Sequence, residues 1–179
     1  MDPIDKDIKK PSSKQRATRN RRDVHEKSCG IITYRILDGN REYLLLHYPG
    51  GHWDFPKGHV EKIDAGEHET ARRELKEETG ISQINFDEGY RNSMYYEFNR
   101  GARERVKKVV VYFLACTEES EVALSFEHQN FVWLPYDEAL ARLTYENAKD
   151  LLRKAQNYLT NELGGGLCQV KGGAKKSCG

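Results

Sequence analysis

Residues 72–80 read "RRELKEETG", and the rest of the chain is understood outward from this stretch. The pattern is that of a short helix stopped by Gly80, since glycine adopts the left-handed conformation that ends helices at little cost. Each helical residue turns by about 100°, so Glu74 and Glu78 stand one above the other, with Glu77 within roughly a third of a turn. Three carboxylates share one face. Arg72, Arg73 and Lys76 are interspersed, and Arg73 and Glu77 are four apart, so a solvated face of alternating charge is the competing explanation.

The residues just upstream weigh against that simpler explanation. "GGHWDFPKGHVE" (residues 50–61) sets a Trp, two His, a Lys and several Gly beside a Pro immediately before the helix. Glycines let backbone approach a ligand closely, and Lys57 offers a point charge for phosphate. Mg²⁺ prefers oxygen ligands and is commonly held by a few carboxylates plus substrate phosphates, so a metal would supply the positive charge the helix lacks.

The chain has 179 residues and a net charge of +1. Such a length normally means one domain with appendages, and the near-neutral balance argues against a general polyanion binder. Cys29, Cys116, Cys168 and Cys178 fall at wide spacings that match neither a disulfide framework nor a zinc site, which suits a reducing cytosol. No apolar run approaches a membrane span, and "MDPIDKDIKKPSSKQ" lacks the apolar segment of a secretory signal. A cytoplasmic, monomeric protein is expected, with the nucleus accessible if the basic N-terminus acts as an import signal.

Three regions are expected. Residues 1–27 are polar, hold Pro3 and Pro11, and bury too little to offset ordering entropy, so they read as a disordered basic arm; its "KQRATRNRR" is the feature through which RNA would be contacted. Residues 28–163 form the folded domain, and residues 164–179 a flexible Gly/Lys-rich tail. Within the domain "SCGIITYRI" and "REYLLLHY" read as strands joined by "LDGN". "SMYYEF", "KKVVVYFLACT" and "NFVWLP" read as further strands, and "TYENAKDLLRKAQNYLTNEL" as an amphipathic helix with Ala148, Leu151, Leu152, Ala155, Tyr158 and Leu159 on its apolar side. The sum is a mixed α/β domain, a sheet with helices on both faces.

"GHVEKIDAGEHETARRELKEETGI", Gly58 to Ile81, resembles the signature of the Nudix hydrolases. Its second half fits at every fixed position: Arg73, Glu74, Leu75, Glu77, Glu78, Gly80 and Ile81. The first half departs from it, because Gly58 lies one residue too far from Arg73 and Ala65 stands where the first Glu of the pattern belongs. A one-residue insertion accounts for this, with Asp64 or Glu67 taking over that carboxylate's place. Asp64 also reads as an N-cap, with Glu67 three residues on completing a capping-box-like start; the assignment of Glu67 is left open.

The resemblance runs from about Glu26 to Leu163. "SCGIITYR", "EYLLLHY", "HWDFPKGHVE", "VVVYFLA" and "LSFEHQNFVWLPYDEA" are similar to the asymmetrically cleaving diadenosine tetraphosphate hydrolases within that superfamily. It implies the Nudix fold, a mixed β-sheet sandwiched between α-helices (α/β/α), and hydrolysis of phosphoanhydride bonds in a nucleoside-polyphosphate substrate with Mg²⁺, for which Mn²⁺ can substitute. Gly58, Glu74, Glu77, Glu78 and Glu127 are the implied metal positions. Glu77, Glu78, Arg73 and Glu127 are the implied catalytic group, with Arg73 holding the carboxylates in position. His52, Lys57, Tyr96 and Lys108 are the implied substrate contacts. His59 and His128 are expected to be structural or peripheral. Two alternatives accompany this expectation: removal of diphosphate or cap groups from RNA 5′ ends, and a binding module that has lost catalysis.

Overall fold

The computed structural model describes residues 22–161, a seven-stranded mixed sheet packed between helices. The strands are β1 (Arg22–Leu37), β2 (Asn40–His47), β3 (Trp53–Asp54), β4 (Lys57–His59), β5 (Ile84–Arg100), β6 (Glu104–Thr117) and β7 (Asn130–Pro135). The helices are α1 (Glu67–Thr79), α2 (Tyr136–Arg142) and α3 (Glu146–Asn161). Strands run in the order β3-β2-β1-β6-β5, with β4 added on β1 and β7 on β2. β1 and β6 are parallel, whereas β2 and β4 on β1, β3 and β7 on β2, and β5 on β6 are antiparallel.

Strand periodicity explains why both faces need a cover. In β6, Val111, Phe113 and Ala115 join Ile31, Leu44, Leu46, Ala71 and Leu75 under α1, while Val110, Tyr112 and Leu114 join Ile32, Tyr43, Leu45, Leu151 and Leu152 under α3. Neighbouring residues point to opposite faces, so runs such as "GIIT" and "KVVVYFLA" are apolar throughout instead of alternating with polar positions. The α/β/α layering follows directly.

Some boundaries differ from those expected. Residues 22–27, placed in the basic arm by composition, form the start of β1, where they pair with residues 104–109 of β6. Asp23 supplies the reason: it accepts from Arg105 Nε and Nη2 and pairs with Lys107 Nζ at 2.8 Å, so a polar strand is held by cross-strand ion pairs. The strand seen in "SMYYEF" extends over all of β5, with an irregularity between Phe86 and Arg91. The seven-residue α2 and the short β3 and β4 were not expected. The first 21 residues and those from 162 onward, which include the stretch expected to be a flexible tail, Cys168 and Cys178, lie outside the described residues. Cys29 is a buried free thiol, whereas Cys116 is disulfide-bonded, so the expectation of unpaired cysteines fails at that position. No described helix is long and apolar enough to cross a membrane.

Candidate functional site

Helix α1 is oriented by what it buries. Thr70, Ala71, Leu75 and Thr79 face the sheet, Gly80 ends the helix at φ 76°, and Ile81 returns the chain to the core. Burial of that stripe leaves Glu74 and Glu78 facing β4 and Glu77 facing solvent. Glu74 and Glu78 side chains are 14% and 8% exposed, Glu77 59%. Glu78 accepts from the backbone N–H of Lys57 at 3.0 Å, and its other oxygen lies 3.3 Å from His128 Nε2. A Cβ at Gly58 would overlap the Glu74 carboxylate. Glycine is needed here for the room it leaves to a carboxylate.

Arg73 ties this face together. Its Nη1 donates to Glu74 at 2.9 Å and to Glu77 at 3.0 Å. Nη2 donates to the His59 carbonyl at 2.9 Å, and Nε and Nη2 grip both oxygens of Asp64 at 2.9 and 3.0 Å. Asp64 also accepts from Thr70 Oγ1 and from the backbone N–H of Glu61. It is therefore not the N-cap of α1, which is Gly66 with no side-chain capping bond. The guanidinium fork reaches back nine residues to Asp64 and fixes the loop to the helix. Arg73 and these other donors hold the Asp64 carboxyl far below the usual carboxylate range.

Glu67 is drawn elsewhere. Seven residues are a rise of about 10 Å along a helix, enough to bring Glu67 over the sheet, where Lys27 lies 2.7 Å away and Arg91 binds both oxygens at 2.7 and 2.8 Å. The hydrogen bonds from Arg91 pull its pKa down to about 2. Glu74 moves the other way: burial raises it, the adjacent Arg73 opposes, and Glu78 and Glu77 add repulsion. Among the described residues no three acidic or histidine side chains form a finished metal cage, since Arg73 stands between Glu74 and Glu77.

Two neighbouring cavities meet at Lys57. One, of about 700 Å³, is lined by Gly58, Glu74, Glu77, Glu78, Glu127 and Phe126. The other, of about 410 Å³, is lined by His52, Asp54, Tyr96, Phe98, Tyr145 and Asn147, and Lys57 lines both. Each lies in the size range of small-molecule sites. Lys57 Nζ is paired with Asp54 at 3.0 Å and sits 4.0 Å above the Tyr48 ring centroid, so it is held in place before any ligand arrives. The His52 ring stacks on Tyr48 at 4.7 Å and tilts toward Tyr145 at 5.4 Å. Burial lowers the His52 pKa, and the nearby Lys57 charge lowers it further.

The structure thus brings Lys57, Gly58, Arg73, Glu74, Glu77, Glu78 and Glu127 to one cleft, and His52 and Tyr96 to the cavity beside it. Tyr95 points to the opposite face of β5 and is 76% exposed. Lys108 lines neither cavity; its Nζ lies 3.5 Å from His59 Nε2 at the cleft edge, and burial lowers its pKa. His128, expected to be structural or peripheral, is buried against Glu78 and oriented by Ser125 Oγ at 3.2 Å from Nδ1. Phe98, Tyr145, Asn147 and Tyr48 escaped the sequence reading. Phe98 follows Tyr96 at the strand spacing of two and was open to inference; no local signal points to Tyr145.

The chain is similar to proteins already known. The NUDIX domain profile matches residues 30–155. A bis(5′-nucleosyl)-tetraphosphatase [asymmetrical] of Caenorhabditis elegans is 37% identical over 139 residues, which cover 74% of this chain and 96% of that protein. One of Rattus norvegicus is 40% identical over 147 residues, covering 74% and 95%. A crystal structure of a C. elegans Ap4A hydrolase binary complex superposes with a TM-score of 0.66 at 35% identity, covering 75% of this chain and 98% of that one. The domain match, the two relatives and an acidic helix packed against its glycine strand agree: the chain belongs to the NUDIX family.

Proposed function

We propose that this domain hydrolyses diadenosine tetraphosphate asymmetrically, to ATP and AMP. The observation that carries the reading is Lys57 standing in the wall shared by an aromatic cavity and a carboxylate cleft. A molecule with a flat base at one end and a polyanion at the other fits that pair of surfaces. The printed names of the relatives support the same substrate.

The donor set fits a hard divalent cation: the carboxylates offer only oxygen ligands, and the missing Cβ of Gly58 leaves room for that of Glu74. Mg²⁺, with Mn²⁺ as substitute, would be held by Glu74, Glu77, Glu78, Glu127 and the Gly58 carbonyl, and would supply positive charge to the phosphate oxygens. Arg73 sets the carboxylate positions through its bonds to Glu74 and Glu77. His52, Tyr96, Phe98 and Tyr145 take one adenine between their rings. The Lys57 ammonium neutralises the chain where it leaves the nucleoside, sharing its charge with Asp54. Lys108, at the His59 edge, adds charge further along. Glu127 orients the attacking water and accepts its proton on a carboxylate oxygen. The barrier is dominated by repulsion between nucleophile and polyanion and by charge gathering on the leaving phosphate, so positioned positive groups carry most of the rate.

The test is product analysis of the full chain with diadenosine tetraphosphate and Mg²⁺ in oxygen-18 water. ATP and AMP in equal amounts, with label in one of them, support the reading and locate the attacked phosphorus. A chain that leaves the dinucleotide intact while trimming triphosphorylated or capped RNA sinks the substrate assignment.

A further inference from the structure

We propose that Phe126 forms the stacking platform for the second nucleoside of a dinucleoside polyphosphate; the inference rests on the substrate class proposed above. Phe126 is 96% exposed. Single exposed apolar side chains are ordinary on protein surfaces, so exposure alone decides nothing. Its setting does. Ser125 to His128 is a tight turn closed by the His128 N–H donating to the Ser125 carbonyl at 3.2 Å, which puts Phe126 and Glu127 at the two central positions.

Both ends of that turn are anchored. The Ser125 N–H donates to the Glu78 carbonyl at 2.9 Å, and the Gln129 N–H to the His47 carbonyl at 2.8 Å. Ser125 Oγ lies 3.2 Å from His128 Nδ1, and His128 is buried against the Glu78 carboxylate. The turn is thereby fixed to α1, and the same fixture that presents Glu127 to the cleft presents the Phe126 ring beside it. A polyphosphate reaching Glu127 passes next to this ring.

The other rings do not serve. Phe98 and Tyr145, partly exposed, line the cavity assigned to the first base. Tyr48 lines the cleft, but it is occupied by His52 on its face, His128 at its edge and Lys57 above it. Tyr95 lines a further cavity, shared with Tyr96 and Lys108, to which none of Glu74, Glu77, Glu78 and Glu127 contributes. A substrate with two bases has one enclosed ring site at Lys57, and Phe126 is the ring left open at the acidic cleft. Stacking on an aromatic side chain tolerates any base, so the platform selects for a second nucleoside without selecting which.

The test compares KM for diadenosine tetraphosphate with the inhibition constant of adenosine 5′-tetraphosphate, which carries the phosphates and one base only. Phe126→Ala is expected to raise KM for the dinucleotide about tenfold, in line with the loss of one base–aromatic stack, while the mononucleotide constant moves less than about twofold. Phe126→Trp is expected to restore KM. Ring-proton shifts of Phe126 on titration with the dinucleotide, absent with the mononucleotide, would place the base on the ring. An unchanged KM overturns the proposal, as does a parallel rise in both constants, which marks a displaced turn. A wild-type chain that leaves the dinucleotide intact overturns the substrate reading and this inference together, before any substitution is made.

Discussion

Helix α1 and the loop before it carry two sets of carboxylates that look alike in sequence and differ in their surroundings. Glu67 is matched by Lys27 and Arg91, and Asp64 takes both the Nε and Nη2 of Arg73. Glu74, Glu77 and Glu78 are left to share the remaining Nη1 of Arg73, one backbone N–H and a histidine. The first set is depressed in pKa by its cations, while burial and the neighbouring Glu78 and Glu77 push Glu74 upward. A carboxylate with its own cations is part of the scaffold. One held close to others with too few cations stores repulsion that an incoming cation relieves, which is the condition for binding one.

Removing charge from the undercompensated set gives the largest expected effect. Glu78→Gln keeps the size of the side chain and an acceptor for the Lys57 N–H, so the fold is retained, and kcat is expected to fall about 10³-fold or more if Glu78 supports the divalent ion. Steady-state kinetics beside a thermal melt checks it; near-wild-type turnover with a normal melt would break the distinction between the two sets. Gly58→Ala comes next. The added methyl meets the end of a flexible side chain, so Glu74 is displaced and the backbone is not. Activity is expected to fall about 100-fold, as misplacement by roughly 1 Å costs, with a melting temperature close to wild type.

Asp64→Asn tests whether the two sets are joined through Arg73. The amide keeps one acceptor but loses the charge that anchors the guanidinium, so the position of Nη1 toward Glu74 and Glu77 loosens. A loss of about 10-fold in activity is expected, with weaker apparent affinity for Mg²⁺, since groups that orient metal ligands typically contribute 10- to 100-fold. Asp64→Glu, in the irregular spacing of this loop, is expected to recover only part of it. Unaltered metal affinity in Asp64→Asn would show the sets to be independent.

How much of this could be read from residues follows the same division. The acidic face of α1, its stop at Gly80 and the apolar strands around Ile31, Leu45 and Val110 were legible, because helix and strand periods are local properties. The two helical covers were too, although the seven-residue α2 is too short to show a period. β5 was seen only in part, since Asp87, Glu88, Asn92 and Asn99 make it polar along a ribbon that leaves the core. Partner choice was not legible at all. For the irregular position, the residues favour capping for Asp64 and leave Glu67 open; only the fold shows Arg73 gripping the one, and Arg91 and Lys27, distant in sequence, the other. Tyr145 reaches the aromatic cavity from a loop 93 residues after His52, and no spacing rule connects them.

The smallest effect is expected at Glu67, and it sharpens the comparison from the scaffold side. Glu67→Gln removes a carboxylate on the same helix as Glu78, yet turnover should stay within about twofold, because its cations face the sheet and not the cleft. Stability is where the change appears, by about 1 kcal/mol or less, since Lys27 and Arg91 are largely exposed. Its pH dependence has a definite sign. Folding lowers the pKa of Glu67 from an ordinary 4.5 to about 2, so the unfolded chain binds the proton more readily. The stabilisation is fully present above about 4.5 and is lost as pH falls toward 2. Denaturant midpoints of wild type and Glu67→Gln should therefore differ at pH 7 and converge on acidification. A gap that persists undiminished at pH 2 and below would assign the effect to packing of the side chain, and a large loss of turnover in Glu67→Gln would move this carboxylate into the cleft's company.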